Sequence, residues 1–172
     1  MTILPLPEKF DQNEWFIILH IVALVFLLYK LPRRFPPSIT ILLLLFTMTV
    51  ARVVDHLIAG PHIDLYDIMD SGDFELFDLL CYVPYAPFGY MFIYLYDKFQ
   101  LKGIGLILYI VVFSVGSIGF EWVTGSSFIS YLKYTSWKPI YSVPIYLIVQ
   151  PCTILFFHFI KSIHEKSLTQ VE

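Results

Sequence analysis

Chemistry that water would hide but a membrane would not is concentrated in Thr47 to His56, TMTVARVVDH, where an apolar run beginning at Ile39 takes on Arg52, Asp55 and His56. On a helix Arg52 and Asp55 are three residues apart and Arg52 and His56 four, so the three fall on one side within reach of one another. That side cannot face lipid. An ionised group in hydrocarbon costs from roughly 3 kcal/mol upward on insertion scales, so such groups turn inward and pair. His20, Glu121 and His158 also sit inside apolar runs. A lone histidine such as His20 reads first as a helix-packing or hydrogen-bonding residue, and only second as a ligand.

The elements that must position these groups follow from composition. Of 172 residues, 58% are hydrophobic, 18% aromatic and only 15% charged, with mean hydropathy +0.72. A chain this short has too little polar material to cover apolar helices on all sides, so the bilayer is its solvent. The expected fold is all-α, a single integral membrane domain built as a polytopic helical bundle of about five spans, near 15–31, 38–58, 76–96, 103–123 and 140–163. Glu8, Asp11 and Glu14 ahead of the first run, with Arg33 and Arg34 after it, do not match a cleaved signal peptide, so the first span is expected to be retained. The net charge of −3 points to no nucleic-acid partner. Cys81 and Cys152 are expected at different depths, as two buried thiols without a disulfide.

Two connections and one span stand out. Residues 60–78 carry Asp64, Asp67, Asp70, Asp73, Glu75 and Asp78 without a lysine or arginine, and read as a solvated acidic loop with Phe74 and Phe77 lying on the membrane surface. Its spacing is not that of a calcium-binding hand. The third span carries YVPYAPFGY, in which Pro84 and Pro87 each remove a backbone donor and clash with the carbonyl four residues back, so this half should kink or unwind. Carbonyls freed there need a neighbour or water in a cavity. In the fourth span Ser114, Ser117 and Glu121 share a side, with Gly116 and Gly119 close by, which predicts a small-residue surface against which another helix packs.

Lysine and arginine divide unevenly between the two faces. Seven (Lys30, Arg33, Arg34, Lys98, Lys102, Lys161, Lys166) fall on one side, three (Lys9, Lys133, Lys138) on the other, and Arg52 lies within a span. The positive-inside rule then places the N-terminus outside and the C-terminus inside. At 1.5 Å per residue, His20, Arg52, Asp55 and Glu121 come to one level beneath the outer face, beside the proline-broken start of the third span. The expectation is an outer-leaflet polar cluster of His20, Arg52, Asp55, His56 and Glu121, with Arg52 paired to Asp55 or Glu121. The hairpins formed by spans two and three and by spans four and five each carry an acid near the outer end of the first helix and a Val-Pro near the start of the second, a hint of two parallel repeats that chance similarity among apolar helices also explains.

The run YVPYAPFGYMFIYLYDKF, followed by KGIGLILYI, SIGFEW and HFIK, resembles a family of small polytopic membrane proteins of spore-forming bacteria. The resemblance covers most of residues 36–161. It implies a multi-pass protein of the cell membrane and contributes no catalytic residue, since the family has no assigned activity.

Three functions are open at this point. The first is a non-enzymatic accessory, sensory or assembly subunit, whose partners are the lipid bilayer and a membrane protein or a second copy of the chain. The second is a small oligomeric transporter or channel using Arg52, Asp55 and Glu121, which the scarcity of polar residues in the inner half beyond Gln150 and His158 disfavours. The third is a lipid-modifying intramembrane enzyme, for which no HExxH, GxSxG or paired intramembrane aspartate is present; His56, His62 and Asp64 lack a zinc arrangement, and no cofactor is indicated. Single cysteines introduced at Asp70, Lys98, Lys133 and Ser167 test the topology. Asp70 and Lys133 should react with an impermeant thiol reagent from outside intact cells and Lys98 and Ser167 only after lysis; labelling of Asp70 and Lys98 from the same side removes the five-span arrangement.

Overall fold

The computed structural model describes residues 6, 7, 9–59, 65–68, 75–125 and 131–169. Asp64, Asp70, Asp73, Phe74 and His62 of the expected acidic loop therefore lie outside the described residues. The elements in chain order are α1 (Gln12–Lys30), α2 (Pro37–Ile58), β1 (Tyr66–Ile68), α3 (Leu76–Leu80), α4 (Tyr85–Lys98), α5 (Gly103–Thr124), β2 (Leu132–Tyr134), a short 3-10 turn (Pro139–Tyr141) and α6 (Ser142–Thr169). Five helical stretches are long and apolar enough to cross a membrane, with α3 and α4 counting together as Leu76–Lys98. α1 starts three residues earlier than the apolar run suggests because Asp11 caps it. The Asp11 carboxylate accepts from the Asn13 amide and the Glu14 side chain reaches back to the Asp11 amide, a reciprocal capping box. The buried Glu14 is thus a part of the helix start rather than of a solvated leader.

The third span breaks where the prolines demand it. α3 stops at Leu80, and the chain passes through tight i to i−3 hydrogen bonds, Tyr82 to Leu79, Val83 to Leu80, Tyr85 to Tyr82 and Ala86 to Val83, before α4 begins. Pro84 and Pro87 have no N–H to offer, so the wider helical ladder cannot run through them. The Cys81 carbonyl, opposite Pro84, finds a side-chain donor in the Tyr131 hydroxyl at 3.4 Å.

Around this broken span the bundle closes. α2 packs against both α4 and α6, α5 against α6, and α1 against α4. One cluster, with Leu43, Ile93 and Phe157 fully buried, fills the half away from the strands. A second, built on Ile17, Phe77, Cys81, Tyr82 and Tyr131, fills the strand end. In lipid the gain from such clusters is close packing rather than escape from water. At the end opposite the strands, Arg34 Nε meets Asp97 Oδ2 at 2.6 Å and Lys161 Nζ stands 3.6 Å from Asp97 Oδ1, tying the α1–α2 turn and α6 to the end of α4.

Several expectations are corrected. Part of the acidic connection is not a solvated loop: Tyr66–Ile68 forms β1, which pairs antiparallel with β2, Asp67 opposite Lys133. Phe77 is core at 5% exposure, not a membrane-surface residue. Cys152 is exposed on the outside of α6 while Cys81 is buried, both as free thiols. On α5 the buried face is the polar one, Ser114, Ser117, Glu121 and Thr124, whereas a Cβ added at Gly105, Gly116 or Gly119 would meet open space. The glycine that packing requires is Gly89 of α4, where a Cβ would lie 2.2 Å from Thr47 Cγ2 and 2.6 Å from Thr47 Cβ. Gly89→Ala should therefore force α2 and α4 apart and cost about 1–3 kcal/mol, read as a lowered Tm in detergent, while Gly105→Ala leaves Tm unchanged or slightly raised; equal Tm values for the two variants would show that the α2–α4 contact is not this close.

Candidate functional site

The end of α5 delivers Glu121 into the bundle because the chain turns directly after it. Gly125 caps the helix through its amide to the Glu121 carbonyl, at 2.9 Å, and its missing side chain makes room for the Tyr134 ring, whose Cε2 would lie 2.5 Å from a Cβ there. β2, the 3-10 turn and the start of α6 then fold back over the carboxylate. Ser142 donates to Oε1 at 2.8 Å, Trp137 Nε1 at 3.3 Å and the Tyr134 hydroxyl at 3.4 Å, while the Tyr146 hydroxyl donates to Oε2 at 3.2 Å. All four donors are neutral. Trp137 also donates to Ser142 Oγ at 3.1 Å, which fixes the direction of the Ser142 hydroxyl toward the acid.

Asp55, near the end of α2, is held differently. The Tyr66 hydroxyl of β1 donates to its Oδ1, and the Arg52 charge and the Tyr82 hydroxyl both act on it. Arg52 Nη1 donates to the Tyr82 hydroxyl at 3.0 Å, and the guanidinium lies 5.1 Å from the centre of the same ring, a cation–π contact. Arg52 acts on Asp55 through its charge, while the hydrogen bonds to the two carboxylates come from tyrosine, tryptophan and serine donors. Neutral donors satisfy a carboxylate at lower desolvation cost than a second buried ion would. The phenols that reach in from outside the spans stay protonated and able to donate. Burial, then the Asp55 charge, pushes Tyr66 far up; burial, then Glu121, does the same for Tyr134, and burial for Tyr131.

Between the two acids lies a cavity of about 200 Å³. His20, Asp55 and Glu121 all line it, as do Gln150 of α6 and Ser117 of α5. Its walls are mainly apolar and aromatic, among them Phe16 of α1, Phe88 and Phe92 of α4 and Phe113 and Phe120 of α5, and the strand residues Tyr66, Ile68, Leu132 and Tyr134 cover it at the strand end. His20 packs its ring on Phe16 and Phe120, with centroids 5.5 and 5.1 Å away. Of the five residues expected to gather, three therefore share the cavity. Arg52 stands behind Tyr82, and His56 is exposed on the other side of α2. Gln150, placed by sequence in the opposite half, reaches this cavity; its side chain also meets Ser114. Pro84 lines the cavity, so the broken span supplies wall as well as bend.

Among the described residues no group of three or more His, Cys, Asp or Glu is gathered as metal ligands. Sequence reasoning missed Tyr66, Tyr134, Trp137, Ser142 and Tyr146. The one available signal was the density of hydroxyl and indole donors in residues 131–146, beside the end of the span that carries Glu121. Compared with protein-family models, with curated proteins and with solved structures, the chain matches none.

Glu121→Leu leaves Ser142 and Tyr146 without this acceptor, while Trp137 keeps Ser142 Oγ and Tyr134 keeps the backbone carbonyl of residue 121; it should cost about 3–5 kcal/mol, whereas Glu121→Gln, which keeps shape and one acceptor oxygen, should cost about 1–2 kcal/mol. Thermal unfolding in detergent reads the difference, and equal losses would show that the ring of donors does not depend on the acid.

Proposed function

We propose that this chain is a non-catalytic, five-span protein of the cell membrane, a sensory or accessory subunit whose working part is a binding cavity for a small, largely apolar molecule. The N-terminus lies outside and the C-terminus inside, and the cavity sits beneath the outer face. One observation carries the reading: a space of about 200 Å³ with mostly apolar walls and a few convergent polar groups, the usual make-up of a small-molecule site. Tyr66, Ile68, Leu132 and Tyr134 of the β1–β2 pair line it toward the strand end. A membrane protein or a second copy of the chain reads the occupied state from the outside of the bundle.

The transporter reading fits less well. Below the cavity, Leu43, Ile93 and Phe157 are fully buried and the Arg34, Asp97 and Lys161 contacts tie that end together, which leaves no polar series toward the other face. The enzyme reading is weaker: Ser142 has the Glu121 carboxylate beside it, but its oxygen also accepts from Trp137 Nε1, which holds the lone pair that a nucleophile would use.

The chain purified in detergent should carry a small molecule that organic extraction releases chemically unchanged. Val149→Phe, which adds a ring to the cavity wall, should lose it while keeping its fold. An equal load in both proteins, or none in either, would remove the cavity as the functional site.

A further inference from the structure

We propose that the cavity is selective for an organic monocation, an amine with a compact apolar body, whose ammonium sits between Asp55 and Glu121. This rests on the cavity being the ligand site. The charge pattern points to the sign of the guest. The carboxylates Asp55 and Glu121 line one cavity, and among its described lining residues there is no lysine or arginine. The groups that hydrogen-bond the acids are hydroxyls and an indole, which satisfy lone pairs without cancelling charge, while Arg52, whose charge acts on Asp55, offsets part of the negative charge and leaves room for one positive charge and not two. In a space of low dielectric the two acids repel more strongly than in water, and a single positive charge placed between them relieves that repulsion.

The walls speak to the kind of cation. Eleven aromatic side chains line the cavity, and ring faces attract an ammonium group, tertiary and quaternary ones included. An inorganic ion fits poorly, because magnesium or calcium calls for about six or more oxygen ligands and the space offers mainly carbon. Scaling from a cavity of about 150 Å³ that takes benzene, this one takes roughly eight to ten non-hydrogen atoms. Phe120 both lines the cavity and is 46% exposed on the outside of α5, so the wall there is a single side chain thick. A neutral amine arriving from the membrane past that ring takes its proton from whichever of Asp55 and Glu121 holds one, which leaves an ammonium between two carboxylates, and an amine already protonated needs no such transfer.

Equilibrium dialysis of the full chain in a non-ionic detergent, near neutral pH, against labelled phenethylamine and its neutral isostere 2-phenylethanol provides the test. Wild type should bind the amine about tenfold or more tightly than the alcohol. Asp55→Asn and Glu121→Gln should each weaken the amine by about tenfold and leave the alcohol unchanged, the unchanged alcohol showing that the cavity is intact. If a variant fails to fold, the amine-to-alcohol ratio in wild type decides alone. Equal binding of amine and alcohol overturns the cation proposal while leaving the cavity reading in place. Absence of amine binding also overturns it, and the cavity reading then falls only if the Val149→Phe protein retains the wild-type load of extracted molecule.

Discussion

A carboxylate surrounded by hydrocarbon must draw its hydrogen bonds from the protein, and the geometry at one end of this bundle follows from how Glu121 and Asp55 do so. Glu121 takes donors from β2, from the turn before α6 and from two positions on α6. Asp55 takes one from β1. Two strands of three residues would not hold together by themselves. Here each strand is pinned by a tyrosine that must reach an acid, and the ladder between them is the shortest way for the two connections to cross the bundle end. The polar groups thus specify where the cover of the cavity lies, and the apolar clusters supply the packing around it.

The broken third span belongs to the same arrangement. Pro84 and Pro87 prevent a straight helix, and a straight helix would carry Tyr82 and Tyr85 past the cavity in a regular spiral. The tight turn at residues 81–84 instead leaves Tyr82 facing Arg52, with Tyr85 lining the cavity. A carbonyl released by the break is taken by Tyr131, the residue just before β2. One irregularity is therefore repaired by the segment that also covers the site, and the repair ties the third span to the connection between α5 and α6. Nothing comparable occurs at Pro144 in α6, which lies in the first turn where its missing N–H has no intrahelical partner to lose.

At the opposite end the chain is held by different means. Arg34, Asp97 and Lys161 form an exposed charge contact, of the kind that contributes little by itself, and the fully buried Leu43, Ile93 and Phe157 do the packing. The two ends thus divide the work: one is dry and close-packed, the other open inside and satisfied by hydrogen bonds.

The sequence by itself determined the number and approximate limits of the helices apolar enough to cross a membrane, the break in the third and the gathering of His20, Asp55 and Glu121 at one level of the bundle. These depend on length, on local backbone chemistry and on the 1.5 Å rise of a helix, all of which act within a segment. Only the tertiary structure decided which groups satisfy the acids. Arg52, the nearest opposite charge along the chain, acts on Asp55 through its charge and hydrogen-bonds Tyr82, while the donors to Glu121 come from 13 to 25 residues further on. Periodicity put Ser114, Ser117 and Glu121 on the packed side of α5, but it could not show that the glycines of α5 face outward, that Cys152 faces out, or that Tyr66 pairs with Tyr134. A helix wheel gives the faces but not which of them meets a neighbour, and a strand of three residues is too short to print an alternation. Those choices belong to the packing of the whole chain, where every buried polar atom has to find its partner at once.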